Sequence, residues 1–147
     1  MKRNELMIET NELMIGNYVN VIINGNTYQA IVTKIDGYTD EIRVSFLATP
    51  NDWEETTTFD DIKPILLTKE MLEKNDFYYN EAEETAATES YHQWTLRNTC
   101  FSLDDNSWWR EKKDDILRTK FGTAEIKYFH ELQNILTLSK IKKEIKP

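Results

Sequence analysis

The sequence predicts an α+β protein in three parts: a small SH3-like β-barrel at residues 12–66, a short linking helix at residues 67–76, and an antiparallel β-meander covered by one amphipathic helix at residues 77–147. Three observations predict this fold. Short segments separated by turn residues fill the first half, alternation of apolar and polar residues returns from Tyr91, and apolar residues repeat at helical spacing from Ala124 onward. A chain of 147 residues can bury roughly two thirds of its unfolded surface, so each part can have a core.

The N-terminal part is predicted to contain several short strands. Segments 18–23 and 27–35 flank Asn24-Gly25, and this pair supplies the positive φ angles that a tight hairpin requires. Alternation over residues 41–47 predicts a third strand, and the β-branched and aromatic residues at 56–59 predict a fourth. Short strands leave unpaired edges unless the sheet closes, so we expect an SH3-like barrel.

The linking helix is predicted at about residues 69–75. The Thr68 hydroxyl can accept a hydrogen bond from an otherwise unpaired amide, and Glu70 suits the positive end of the helix dipole.

The C-terminal meander is predicted from alternation and turn residues, and its last strand is expected to end at Gly122. Helical periodicity then predicts one amphipathic helix over residues 124–142, which we expect to cover one face of this meander. The residues that indicate the strands are His92, Trp94, Leu96, Phe101, Leu103, Trp108, Trp109 and the run 116–121, with Asp105-Asn106 as a turn; those that indicate the helix are Ile126, Phe129, Leu132 and Leu136.

The charge of the chain is acidic and unevenly placed. The formal net charge is −8, and residues 36–89 alone hold 15 acidic and four basic residues, a net −11. Such a field repels nucleic acid and favours a basic protein partner. The alternative is that the acidic residues only keep the surface solvated.

Composition also predicts where the protein resides. No run approaches the roughly 18 apolar residues that span a bilayer, and acidic residues interrupt any apolar signal region at the start. A single cysteine, Cys100, excludes an internal disulfide. We therefore expect a cytoplasmic protein with no membrane partner.

No pattern of catalytic, cofactor-binding or metal-binding residues is recognisable, so the chain is predicted not to be an enzyme. His130-Glu131 would begin a zinc-binding motif, but the position of the second histidine is occupied by Asn134. Cys100 has no flanking motif and is expected to be a buried small hydrophobic residue. No serine lies in a Gly-x-Ser-x-Gly elbow, and four glycines leave no phosphate-binding loop.

Two groups of residues are predicted to bind a partner. The first is acidic: Glu54, Glu55, Asp60 and Asp61. The second is Trp108 and Trp109, because neighbours on a strand point to opposite faces and one tryptophan should face outward, where aromatic residues dominate binding energy. Tyr91, Trp94 and Arg97 also resemble a stacking platform for single-stranded nucleic acid, although alternation favours a core position for Trp94.

Three segments resemble a known family. They are residues 12–21 (ELMIGNYVNV), 61–77 (DIKPILLTKEMLEKNDF) and 126–139 (IKYFHELQNILTLS). Together they resemble a family of small uncharacterised proteins found in bacterial phages, prophages and other integrated elements, with a likeness over nearly the whole chain. Phe129 stands where that family usually has valine, and a lysine-rich tail replaces its usual ending.

The resemblance implies that the chain belongs to a mobile element, where small acidic proteins often act by occupying a host protein. It implies no activity. The resulting hypothesis is a non-enzymatic protein that binds a basic surface of a host factor, such as a nucleic-acid-handling defence nuclease, as anti-CRISPR inhibitors do. The alternative is an accessory module of phage origin that binds nucleic acid or has a purely structural role.

Overall fold

The computed structural model describes residues 12–47, 54–83, 85–86, 91–105 and 117–147. The chain divides into two compact units. The first contains residues up to Ile65 together with Tyr128–Ile145, and the second contains Leu66–Lys127 and Lys146. The described residues form two antiparallel sheets and two helices, which confirms the α+β class.

The first unit contains an antiparallel sheet of five strands. Its order is β4-β3-β2-β1-β5, so β4 and β5 are the edge strands, and a 3₁₀ turn, Phe59–Asp61, joins them along the chain. Across the described residues β4 and β5 do not pair with each other, so the sheet is open and the predicted closure into a barrel is not observed. The strands are β1 Tyr18–Ile23, β2 Asn26–Asp36, β3 Glu41–Phe46, β4 Glu54–Thr58 and β5 Ile62–Lys63.

The hairpin predicted at Asn24-Gly25 is confirmed. Ile23 pairs with Asn26, which leaves a two-residue turn with φ angles of 50° at Asn24 and 79° at Gly25. Two consecutive positive φ angles match the twist of the flanking strands, and Asn-Gly adopts them at low cost.

The core of the first unit lies on one face of this sheet. The alternation predicted for β3 is confirmed, because Ile42, Val44 and Phe46 are fully buried while Glu41 and Arg43 are exposed. The core also contains Val19, Val21, Ala30, Val32 and Ile62, all of them fully buried.

Helix α2, Phe129–Leu138, belongs to the first unit, so its predicted place on the C-terminal meander is wrong. Buried Phe129, Leu132 and Leu136 form its apolar stripe, and the ring of Phe129 packs edge-on against Tyr18 of β1 at 5.9 Å. Periodicity identifies an apolar helix face but not the sheet that covers it.

The predicted start of α2 at residue 124 is also wrong. Residues Ala124–Ile126 form a strand, β10, that pairs with Thr119–Phe121, β9, through a turn in which Gly122 has φ 62°. Helix α2 begins at Phe129, five residues after the predicted start. There the Glu131 carboxylate accepts from the Tyr128 backbone N–H, and the Ile65 carbonyl accepts from the Phe129 N–H.

The second unit begins with the short helix α1, Lys69–Lys74, which confirms the predicted linking helix. The Thr68 hydroxyl accepts from the Met71 N–H at 3.2 Å, as predicted for its N-cap. Leu72 is the fully buried residue of this helix.

The predicted antiparallel meander is confirmed in the second unit. Its order is β10-β9-β8-β7-β6, and its first three strands are β6 Phe77–Ala82, β7 Tyr91–Leu96 and β8 Ser102–Asp105. Phe77, Trp94, Leu96, Phe101 and Leu103 are buried on one face. Asp105, predicted as a turn residue, instead lies in β8 and is buried.

In the part of the chain that the structure describes, no helix is long and apolar enough to span a bilayer.

Candidate functional site

The four acidic residues predicted to bind a partner lie close together in the chain, on edge strand β4 and on the turn that joins it to β5. Glu54 and Glu55 belong to edge strand β4, and Asp60 and Asp61 belong to the 3₁₀ turn that follows it. All four side chains are exposed. We call this set the acidic edge.

Glu54 and Glu55 carry the charge to both faces of β4. Glu54 shares a face with Arg43, and its Oε2 lies 2.8 Å from the Arg43 Nε in a diagonal pair between neighbouring strands. Glu55 lies opposite Val44, whose side chain is in the core, and yet Glu55 itself is exposed. A charge on the core-facing side of an edge strand discourages pairing with apolar strands. The acidic edge is therefore negative on both sides.

The other predicted partner-binding residues, Trp108 and Trp109, lie outside the described residues.

A second polar feature of the first unit joins the start of the sheet to α2. The Asn17 Nδ2 donates to the Asn134 Oδ1 at 2.8 Å, and the Asn134 Nδ2 donates to the Glu12 carbonyl at 2.8 Å. The Gln133 Oε1 accepts from the Tyr18 N–H, and its Nε2 donates to the Gly16 carbonyl. We call Asn17, Gln133 and Asn134 the amide seam.

An open cleft of about 210 Å³ runs beside the amide seam. It is lined by Met14–Asn17, by Gln133, Asn134 and Thr137, and by Lys143–Ile145. Each seam amide already makes two hydrogen bonds within the unit, one as a donor and one as an acceptor. The seam therefore serves mainly to hold the chain segment before β1 against α2.

His130 lies on the same face of α2, one turn before Asn134. Its side chain is fully buried, and neither ring nitrogen has a hydrogen-bond partner among the described residues. Its ring stacks on Tyr128 at 5.9 Å, and its Nε2 lies 3.9 Å from the Glu12 carboxylate. Burial lowers the pKa of His130 from 6.5 to about 4, because an imidazolium would lose its hydration.

The second unit contains a polar cluster at the end of its buried sheet face. The Tyr79 hydroxyl lies 2.7 Å from the His92 Nδ1, and the Glu81 Oε2 lies within 3.3 Å of both groups. Burial, together with the Glu81 and Asp105 carboxylates, raises the pKa of Tyr79 to about 12, so its hydroxyl stays protonated at neutral pH. The cluster supports strand pairing between β6 and β7, because Glu81 and His92 are register partners.

Trp94 and Asp105 form a buried hydrogen bond next to this cluster. The indole Nε1 donates to the Asp105 Oδ2 at 3.0 Å, and the two side chains are 3% and 4% exposed. A buried carboxylate needs such donors, so Asp105 can occupy a core position.

Cys100 is exposed, so its predicted burial is wrong. It lies in the turn between β7 and β8, where the strand alternation that would have buried it has ended. Across the described ranges, no group of three or more histidine, cysteine, aspartate or glutamate residues could hold a metal ion. His92 and His130 lie in different units.

Sequence reasoning did not identify the amide seam. One signal was present, because His130, Gln133, Asn134 and Thr137 recur at i, i+3, i+4 and i+7 and so mark a polar stripe on a helix whose other face is apolar. The seam joins residues 12–21 to residues 126–139, and the Ile65 carbonyl bonds to the latter segment at the Phe129 N–H.

A comparison of the chain with protein-family models, with curated proteins and with solved structures finds no match.

Proposed function

We propose that this chain is a non-enzymatic binding protein of a phage or another mobile element, acting in the host cytoplasm. Its acidic edge occupies a basic surface of a host protein. A nucleic-acid-handling defence nuclease has such a surface, and blocking it is the mode of action of an anti-CRISPR-like inhibitor.

The exposure of all four acidic side chains supports the proposal most directly. Glu54, Glu55, Asp60 and Asp61 lie within eight consecutive positions, at the start of β4 and in the turn that follows its end. Among the described residues, the cation found beside this group is Arg43, which is about half exposed and pairs with Glu54. Complementary charge at an interface raises the association rate and selects the partner, and a basic groove would meet several carboxylates at once.

We also propose that the first unit is related to SH3-like barrels, which often serve as binding modules. Two observations support this relation: β1 lies between β2 and β5 in the sheet, and a 3₁₀ turn precedes β5. Fold likeness does not assign a partner, so the functional argument rests on the acidic edge.

The test compares three full-length proteins as baits in a lysate of the bacterial host, with quantitative mass spectrometry. They are the wild type, a variant with E54Q, E55Q, D60N and D61N, and a control with E70Q, E73Q, E83Q and E125Q. The two variants change the net charge equally, and all the altered side chains are exposed.

The proposal predicts that the wild type and the control capture the same host protein, that the acidic-edge variant loses it, and that affinity for the purified partner falls steeply with salt. Equal capture by all three proteins would contradict the proposal.

A second candidate, a nucleic-acid-binding accessory module, draws support from one observation in the second unit. On the sheet face opposite the core, the Arg97 guanidinium lies 5.2 Å from the ring centre of Tyr78, and both side chains are exposed. Such aromatic and cationic groups stack on single-stranded bases. Filter binding of single- and double-stranded oligonucleotides at low salt tests it, and absence of retention would exclude it.

A further inference from the structure

We propose that the partner engages the acidic edge as an extended, basic segment that adds a strand to β4; this inference rests on the proposed function and specifies its mode of binding. The feature that carries the inference is the outer backbone edge of β4, with which no other described strand pairs. The carboxylates of β4 determine which kind of strand can bind there.

The backbone of β4 can accept a strand. β4 has five residues and is the terminal strand of its sheet, so alternate residues direct their N–H and C=O groups away from β3. The opposite edge of the sheet cannot do the same, because β5 has two residues and is followed by Pro64, which has no N–H. Strand addition to an exposed edge is a common way to bind an extended peptide.

The side chains of β4 select the added strand. An added strand places its side chains beside Glu54 on one face and beside Glu55 on the other. An acidic strand is repelled on both faces, and an apolar strand must pack against exposed carboxylates. Two consecutive basic residues place one cation beside Glu54 and the other beside Glu55, because neighbours on a strand point in opposite directions.

The sheet already contains this pairing on the inner side of β4. Arg43 of β3 reaches Glu54 from the neighbouring strand at 2.8 Å, although both side chains are about half exposed. A lysine or arginine on an added strand would meet Glu54 from the other side by the same geometry. Asp60 and Asp61 extend the negative charge past the end of β4, where a flanking basic residue would lie.

A second copy of this chain is a poorer occupant of the edge. β4 of a second copy carries two glutamates, three threonines and no basic residue, so it has no cation to place beside Glu54 or Glu55.

The test uses the full-length protein and two fluorescent peptides of about eight residues with alternating valine and threonine around a central Lys-Arg pair. The peptides have identical side chains, but one carries N-methyl groups on the backbone amides along both edges of the strand. N-methylation removes the donors for strand pairing and leaves the charge unchanged. Both peptides are measured by anisotropy, with the E54Q, E55Q, D60N and D61N variant as the charge control.

We expect the unmethylated peptide to bind the wild type at least about tenfold more tightly than the methylated peptide does, and the charge variant to lose binding of both. Amide hydrogen exchange in β4 should slow when the unmethylated peptide binds. Equal binding of the two peptides would overturn strand addition while leaving the acidic edge as a binding surface.

Two further outcomes separate the inference from the proposed function. If neither peptide binds although the acidic-edge variant loses the host protein, strand addition is wrong and the proposed function stands. If β4 amides in the protein alone become protected as its concentration rises, a second copy occupies the edge and the inference is wrong.

Discussion

The side chains of Asn17 and Asn134 are hydrogen-bonded to each other at 2.8 Å across 117 positions of sequence. This bond joins the residue before β1 to the second turn of a helix that follows residues 66–127 of the second unit. The same two side chains also bond to the backbone, through Met14 N–H and the Glu12 carbonyl. The first unit is therefore closed by amide contacts between its first and last segments.

Replacing Asn134 by alanine should destabilise the first unit. The change removes two hydrogen bonds and leaves the buried Asn17 amide with one partner fewer, so we expect a loss of about 1–3 kcal/mol in the free energy of unfolding. Urea denaturation measures it. Thr137→Ala on the same helix is the matched control, because its hydroxyl bonds only within the helix, and it should change stability by less than about 0.5 kcal/mol. Equal effects of the two variants would show that the seam contributes little.

His130 should make stability depend on pH. Its pKa is about 4 in the folded chain against 6.5 normally, so the unfolded chain binds a proton first as the pH falls. The contribution of His130 to the free energy of unfolding is therefore fully present above about pH 6.5. It decreases as the pH falls from 6.5 to 4 and is constant below that, for a total loss of about 3 kcal/mol.

The measurement compares urea denaturation of the wild type and His130→Leu at pH 7 and pH 4.5. Leucine has a similar size and no buried nitrogen, so the variant should lose less stability on acidification, by about 2 kcal/mol. Parallel losses in the two proteins would mean that His130 does not take up the proton on unfolding.

The cap of α1 should depend on the Thr68 hydroxyl. Thr68→Ala removes the acceptor for the Met71 N–H and should cost about 1 kcal/mol, whereas Thr68→Ser keeps the oxygen and should cost a few tenths. Thermal unfolding of the three proteins checks this order. If serine costs as much as alanine, the methyl group rather than the hydroxyl holds the helix.

The Arg43–Glu54 pair should contribute little to stability. Both side chains are about half exposed, so water screens the interaction, and Glu54→Gln should change the free energy of unfolding by less than about 0.5 kcal/mol. Chemical denaturation at low salt tests this. A larger loss would contradict this expectation and would mean that water screens the pair less than its exposure implies.

Local features of this chain were predictable because local chemistry determines them. Asn24-Gly25 forces a turn by its φ preferences, Thr68 caps the next helix by a bond to Met71, and the alternation in β3 buries Val44 and its neighbours. The exposure of Glu54 and Glu55 followed equally from their charge.

Features that depend on distant partners were not predictable. The periodicity of α2 describes an apolar stripe that would suit either sheet, and only the contact of Phe129 with Tyr18 decides between them. Asp105 next to Asn106 is typical of a turn, so the sequence predicts one there. Asp105 is buried instead because the indole of Trp94 donates a hydrogen bond to its carboxylate. The strand of Ala124–Ile126 is too short to show a period of its own.

The second unit is nested in the first along the chain, between Ile65 and Tyr128. A ribosome therefore completes every strand of the first sheet and then the whole second unit before it makes the helix that covers Tyr18. During that interval the nascent first sheet lacks the helix whose Phe129 packs on Tyr18, so this part of its apolar surface stays uncovered by α2. A stop codon within the second unit would consequently impair both units.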